Sequence, residues 1–176
     1  MANATRSLLI SGLDDAYQTL HDRLAGLTDE EFFWEPVPGC WTVHQDEQGH
    51  WVEDYELPEP VPAPFTTIGW RLVHVATCKV MYHEYAFGPR KLTWDDIEIP
   101  HTAADTIAML EEGHKRLREV LLRLNEADLE KMVLTNWGEQ WPTQKIFWTM
   151  ISHDLHHGGE IGCLRDLYKS KNSTRT

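Results

Sequence analysis

Between Thr143 and Lys169 the chain carries one unbroken helical pattern, and two histidines stand inside its apolar stripe. Ile146, Met150, His153, His157, Ile161, Leu164 and Tyr168 recur at steps of three and four, the period of a helix with one buried face. A helix of this length must be covered along its whole stripe by other helices. Its two imidazoles lie four residues apart, one above the other on the covered face. Buried polar rings destabilise a core unless something satisfies them. A metal ion held between helices would do so; hydrogen-bonded core histidines are the alternative.

Three further amphipathic stretches supply the cover. Residues Ser7 to Leu27 place Leu9, Leu13, Ala16, Tyr17, Leu20, Leu24 and Leu27 together. Residues Thr66 to Phe87 do the same for Trp70, Val73, His74, Thr77, Val80, Met81 and Glu84, and Gly88-Pro89 ends the run. A third helix opens at Thr102, with Asp105 three residues on, and carries Ile107, Leu110, His114, Leu117, Leu121 and Leu124. Thr28 and Glu31 read as a short capped turn after the first helix. The predicted fold is all-α, a four-helix bundle formed by residues 1–176 as one domain.

Residues 34–64 form an insertion between the first and second helices. Within it Trp41–His44 and Trp51–Tyr55 read as a small β-hairpin about an Asp46–Gly49 turn. Pro58, Pro60, Pro62 and Pro64 then make an extended approach to the second helix. Asn125 to Pro142 reads as a loop. Its Trp137 and Trp141, with Trp148, are candidates to line the mouth of a site. Lys169 to Thr176 reads as a polar, fraying tail.

A formal net charge of −12 disfavours wrapping nucleic acid or lying on an anionic membrane. No apolar run is long enough to span a bilayer. The Met1–Arg6 lead-in lacks the features of a signal peptide, so a cytoplasmic location is expected. Cys40, Cys78 and Cys163 are odd in number and widely spaced, which predicts reduced thiols.

His74 lies on the second helix and His114 on the third. On spacing alone each reads better as a hydrogen-bonded core residue. Cys78, one turn from His74, reads as a small buried core residue. Three neutral imidazoles between two helices suit zinc, nickel or iron and leave coordination positions open. Rival motifs are incomplete. A zincin helix needs a glutamate immediately after its first histidine, where Asp154 stands. A di-iron bundle needs two Glu-x-x-His pairs, and only Glu111 to His114 fits. Cys40, His44 and His50 lack a fourth ligand. Asp154 and Glu160, three residues either side of His157, are the candidate catalytic acids: each could fix a ligand tautomer or move a proton. Gly158 and Gly159 each cost about 1 kcal/mol against alanine in mid-helix, which suits a close approach by a helix or ligand.

The segment Thr67-Ile68-Gly69-Trp70-Arg71-Leu72-Val73-His74-Val75-Ala76, followed by His153-Asp154-Leu155-His156-His157-Gly158-Gly159-Glu160-Ile161, resembles the DinB-like (YfiT-like) family of helical metalloenzymes. The likeness extends over nearly the whole chain. It implies a four-helix bundle with a three-histidine metal site, His74 from the second helix and His153 and His157 from the fourth, holding zinc or nickel. Members are similar to thiol-dependent transferases and isomerases that use bacillithiol, mycothiol or glutathione, or to metal-dependent hydrolases, and dimers are common among them. The expectation is therefore a small-molecule substrate, a divalent metal with or without a low-molecular-weight thiol, and a homodimer. A non-catalytic, metal-binding stress-response protein is the alternative. One departure stands out: Gly158-Gly159-Glu160 replaces the Arg-Gly-Gln of many members, removing a guanidinium and adding a carboxylate.

Overall fold

The computed structural model describes residues 4–58 and 60–173. The first three residues of the lead-in and the last three of the predicted tail lie outside the described residues. The elements are α1 (Ala4–Leu24), α2 (Asp29–Phe32), β1 (Val43–Gln45), β2 (Trp51–Glu53), α3 (Ile68–Phe87), α4 (Ala103–Arg123), α5 (Glu126–Leu129), β3 (Met132–Leu134), β4 (Gln140–Pro142) and α6 (Thr143–Ser173). The chain is mostly helical, with two small antiparallel hairpins. Helix α1 packs on α6 and α4, and α3 packs on α4 and α6. No helix among the described residues is long and apolar enough to cross a membrane.

The helix starts are set by local chemistry. Thr28, Thr67 and Thr102 accept backbone N–H bonds from Glu31, Trp70 and Asp105 at 3.2, 3.1 and 3.0 Å. Helix α1 stops at Leu24 rather than at Leu27 because Gly26 adopts a φ of +70°, a left-handed terminator. At the other end, α6 continues through the predicted fraying tail to Ser173. Two apolar clusters fill the interior. One holds Leu13, Leu117, Leu121, Phe147 and Met150, and the other Leu20, Phe32, Leu72, Leu110 and Ile161.

The buried face of α6 is wider than its apolar stripe. Phe147, Ile151, Asp154, Gly158 and Arg165 are buried beside Ile146, Met150, His157 and Ile161, because α1 covers one flank and α3 the other. A Cβ on Gly158 would lie 3.3 Å from Leu20 Cα, so the α1 backbone comes close there. Both charged residues on this face are paired. Arg165 holds Glu31 through two bonds of 2.8 and 3.0 Å and also donates to the Arg23 and Ala25 carbonyls. Asp154 accepts from Lys79 of α3 at 2.7 Å, and neither side chain has any exposure. The sequence reading sets Asp154 beside the histidine pair as an acid or tautomer-fixing group. The structure turns it about 100° around the helix from His153, into the core and onto Lys79.

The predicted loop from Asn125 to Pro142 is instead structured. Asn125 and Asp128 form a capping box for α5, and β3 pairs with β4 with Val133 opposite Trp141. The predicted hairpin in the insertion is present, with Val43 opposite Glu53 and Gln45 opposite Trp51. It folds back on the start of α3. Thr67 N–H donates to the Trp41 carbonyl at 2.9 Å, and Trp70 Nε1 donates to the Asp54 carbonyl at 2.7 Å. That contact places the hairpin one turn from His74.

Because Lys79 and Asp154 are both fully buried, removing one partner leaves an unpaired buried charge. Asp154→Ala is expected to lower stability by about 3–5 kcal/mol, whereas the double change Lys79→Met with Asp154→Leu recovers most of that loss in urea unfolding.

Candidate metal centre

Helix α3 presents His74 and α6 presents His153 and His157 at one place. The ring centroids lie 5.0 Å apart for His74 and His153, 5.2 Å for His74 and His157, and 4.5 Å for His153 and His157. His74 Nε2 faces His153 Nε2 at 3.1 Å. Two ligand nitrogens about 2.0–2.1 Å from a tetrahedral ion stand roughly 3.3 Å apart, so this spacing is close to that of a shared ion. His153 Nδ1 is buried without a hydrogen-bond partner. The facing nitrogens of His74 and His153 therefore fit a shared divalent cation.

Two of the three rings are held from behind. His74 stacks on Trp70, with centroids 5.1 Å apart and planes 9° from parallel. His157 Nδ1 is 2.7 Å from Glu160 Oε2, which reserves its Nε2 for a ligand. Glu160 in turn accepts a charge-assisted bond from Arg71 Nη1. Arg71 was not singled out from the sequence, although its place one turn before His74 was the available signal.

Burial keeps all three rings uncharged. Desolvation lowers His74 to about 4, with Arg71 adding to the shift and Glu160 opposing it. It lowers His153 to about 2 and His157 to about 3, and neighbouring positive groups add to both. Neutral imidazole is the form that ligates.

Cys78 is buried, as expected, but its sulfur faces the site at 3.9 and 4.0 Å from the two nitrogens of His74. Candidate ligand atoms of His74, Cys78 and His153 lie within 4.8 Å of one another, as do those of His156, His157 and Glu160. Burial, with Glu53 adding to it, pushes the Cys78 thiol up to about 12, so it would ionise only on binding a metal. Neither group joins His157 to His74 and His153, whose nearest grouping takes in Cys78 instead, and neither includes Asp154 or His114. His114 stacks on Tyr17 with centroids 3.9 Å apart and lies 3.6 Å from Asp14, as a core histidine does.

A cavity of about 1270 Å³ reaches His74 and Cys78. The first hairpin contributes Trp51 and Glu53 to its wall, the segment before α4 contributes Trp94 and His101, and the β3–β4 turn contributes Asn136 and Trp137. Trp51 lies flat on His101, with centroids 4.5 Å apart. Of the three tryptophans considered for a mouth, only Trp137 lines this cavity. Trp148 is 64% exposed on the outer side of α6, and Trp141 Nε1 bonds Glu139.

A sequence model of the DinB superfamily matches residues 13–161, a span that contains all three histidines and Glu160. The chain belongs to the DinB superfamily. No curated protein matches it.

In protein kept metal-free with a chelator, the lowered imidazole pKa values make stability depend on pH. The unfolded chain takes up protons below about pH 6.5, while the folded rings resist until about pH 4 or lower. Stability is thus full above that window and falls as pH drops through it, by up to about 1.4 kcal/mol per ring per unit. The urea midpoint should decrease between about pH 7.5 and about pH 5; a flat profile would mean the rings are solvated.

Proposed function

We propose that this chain is a divalent-metal-dependent enzyme acting on a small molecule, with His74, His153 and His157 as the ligands and zinc or nickel as the ion. The observation that carries the reading is the approach of three neutral imidazoles from two helices, with His74 lining a cavity large enough for a substrate. Three protein ligands leave coordination positions for water or substrate, the pattern of a catalytic site. When bound, a divalent ion lowers the pKa of water or of a thiol and so supplies a nucleophile near neutral pH.

The chain's own groups have separate tasks. Glu160 is a positioning residue. Its Oε2 meets both His157 Nδ1 and Arg71, and it sets the ring's tautomer while Arg71 balances its charge. Trp70 holds the His74 plane. In this proposal Asp154, held by Lys79, has no proton-transfer role. Between the two expected reactions, S-transfer and hydrolysis, the cavity favours hydrolysis. Among the described residues no lysine or arginine lines it to meet the carboxylates of a thiol such as glutathione. The open cavity also argues for turnover over simple metal storage.

Mass spectrometry of the intact protein should find one divalent ion per chain, lost in His153→Ala and in His157→Ala together with hydrolysis of ester and amide panels. Glu160→Gln should retain the ion with affinity lowered about ten- to a hundredfold. Stoichiometric metal in both alanine variants would reject the triad.

A further inference from the structure

The cavity wall carries polar atoms that the fold leaves unanswered. Glu53 Oε2 and both amide atoms of Asn136 are buried without a hydrogen-bond partner, and both residues line the cavity. Buried polar atoms of this kind call for a partner from outside the chain, either water or a ligand. The three atoms come from two separate hairpins that both contribute to the cavity wall.

Charge narrows the identity of that ligand. Asp46, Glu53, Asp95 and Glu98 line the same space, and no lysine or arginine does so among the described residues. A concave surface of one sign focuses its field on the interior and draws in the opposite charge. Trp51, Tyr55, Trp94 and Trp137 supply aromatic walls, which suit apolar bodies and also attract cations. Trp51 and Glu53 alternate along β2 and so share one of its faces, which puts an aromatic ring and a carboxylate side by side. The Trp70 bond to the Asp54 carbonyl fixes that strand against α3. Burial without a counter-ion pushes the Glu53 carboxyl up to about 7, and the same carboxylate is near enough to raise the Cys78 thiol.

We propose that this cavity binds an organic cation, an amine or amidine on an aromatic or apolar body, with Glu53 as its counter-ion and Asn136 as a second hydrogen-bonding group. As a statement about the substrate this rests on the metal-enzyme reading; as a binding site it stands apart from the metal. The bound cation would lie beside Cys78 and His74, at the edge of the candidate centre.

The test is calorimetric titration of the full-length, metal-replete protein with three probes of one shape: phenethylamine as its ammonium ion, 2-phenylethanol and phenylacetate. The ammonium ion is expected to bind at least about tenfold more tightly than either of the others. In Glu53→Gln that preference should collapse while 2-phenylethanol binds as before, which also shows that the variant is folded. His153→Ala should keep the preference, separating a carboxylate counter-ion from an amine held by the metal. Metal content, measured on the same samples, tests the triad independently. Phenylacetate binding as tightly as the ammonium ion, a preference that survives Glu53→Gln or is lost in His153→Ala, or no saturable ammonium binding at millimolar concentration would each overturn the proposal.

Discussion

The register between α3 and α6 decides whether three imidazoles meet at all, and two ion pairs along that seam hold it. Arg71 with Glu160 lies on one side of the histidines and Lys79 with Asp154 on the other. A slide of either helix by one turn would separate both pairs together. The Lys79–Asp154 pair has no exposure, so its net contribution to stability is small once desolvation is counted. Its effect is on specificity: any other register would leave a charge stranded in the apolar interior. The helices are thereby fixed before any ligand is considered, and a preformed site loses less to ordering when it binds.

Trp70 then couples this seam to the cavity. Its ring stacks on His74, its Nε1 holds the Asp54 carbonyl of the inserted hairpin, and its face lies 5.8 Å from Trp41. One side chain therefore orients a candidate ligand and anchors the strand that carries Trp51 and Glu53. The insertion is one wall of the space in front of the histidines, joined to the start of α3 through packed rings and through hydrogen bonds at Thr67 and Trp70. A change in the hairpin would reach His74 through Trp70 rather than through the bundle core.

Much of this was legible in the sequence, and the exceptions share a cause. Apolar periodicity placed the long helices, threonine caps marked their starts, and the steps of four and three around His157 put Glu160 on its flank. Asp154 was misplaced because a charge beside a functional pair reads as solvated or reactive. Its partner, Lys79, is 75 positions away and carries no local signal. The second hairpin was missed because strands of three residues barely register as alternation. Glu53 was not singled out, since nothing in Trp51-Val52-Glu53 says that its carboxylate will be buried without a partner. Isolation of that kind is a property of the assembled fold.

The exchange of Arg-Gly-Gln for Gly158-Gly159-Glu160 takes on a definite meaning in three dimensions. A guanidinium is present at the centre after all, but it comes from α3 as Arg71 and is engaged by Glu160. Gly158 meanwhile admits the α1 backbone, where a larger residue would push α1 and α6 apart. The Arg71 charge is thus balanced by Glu160, and the nearby cavity is lined by carboxylates and histidines with no lysine or arginine among the described residues. A site that anchors an anionic molecule needs an uncommitted cation within reach, and the single arginine at this centre is already paired. Among the described residues the cavity wall offers an incoming anion no lysine or arginine, so any attraction for an anion would have to come from an ion on the imidazoles themselves.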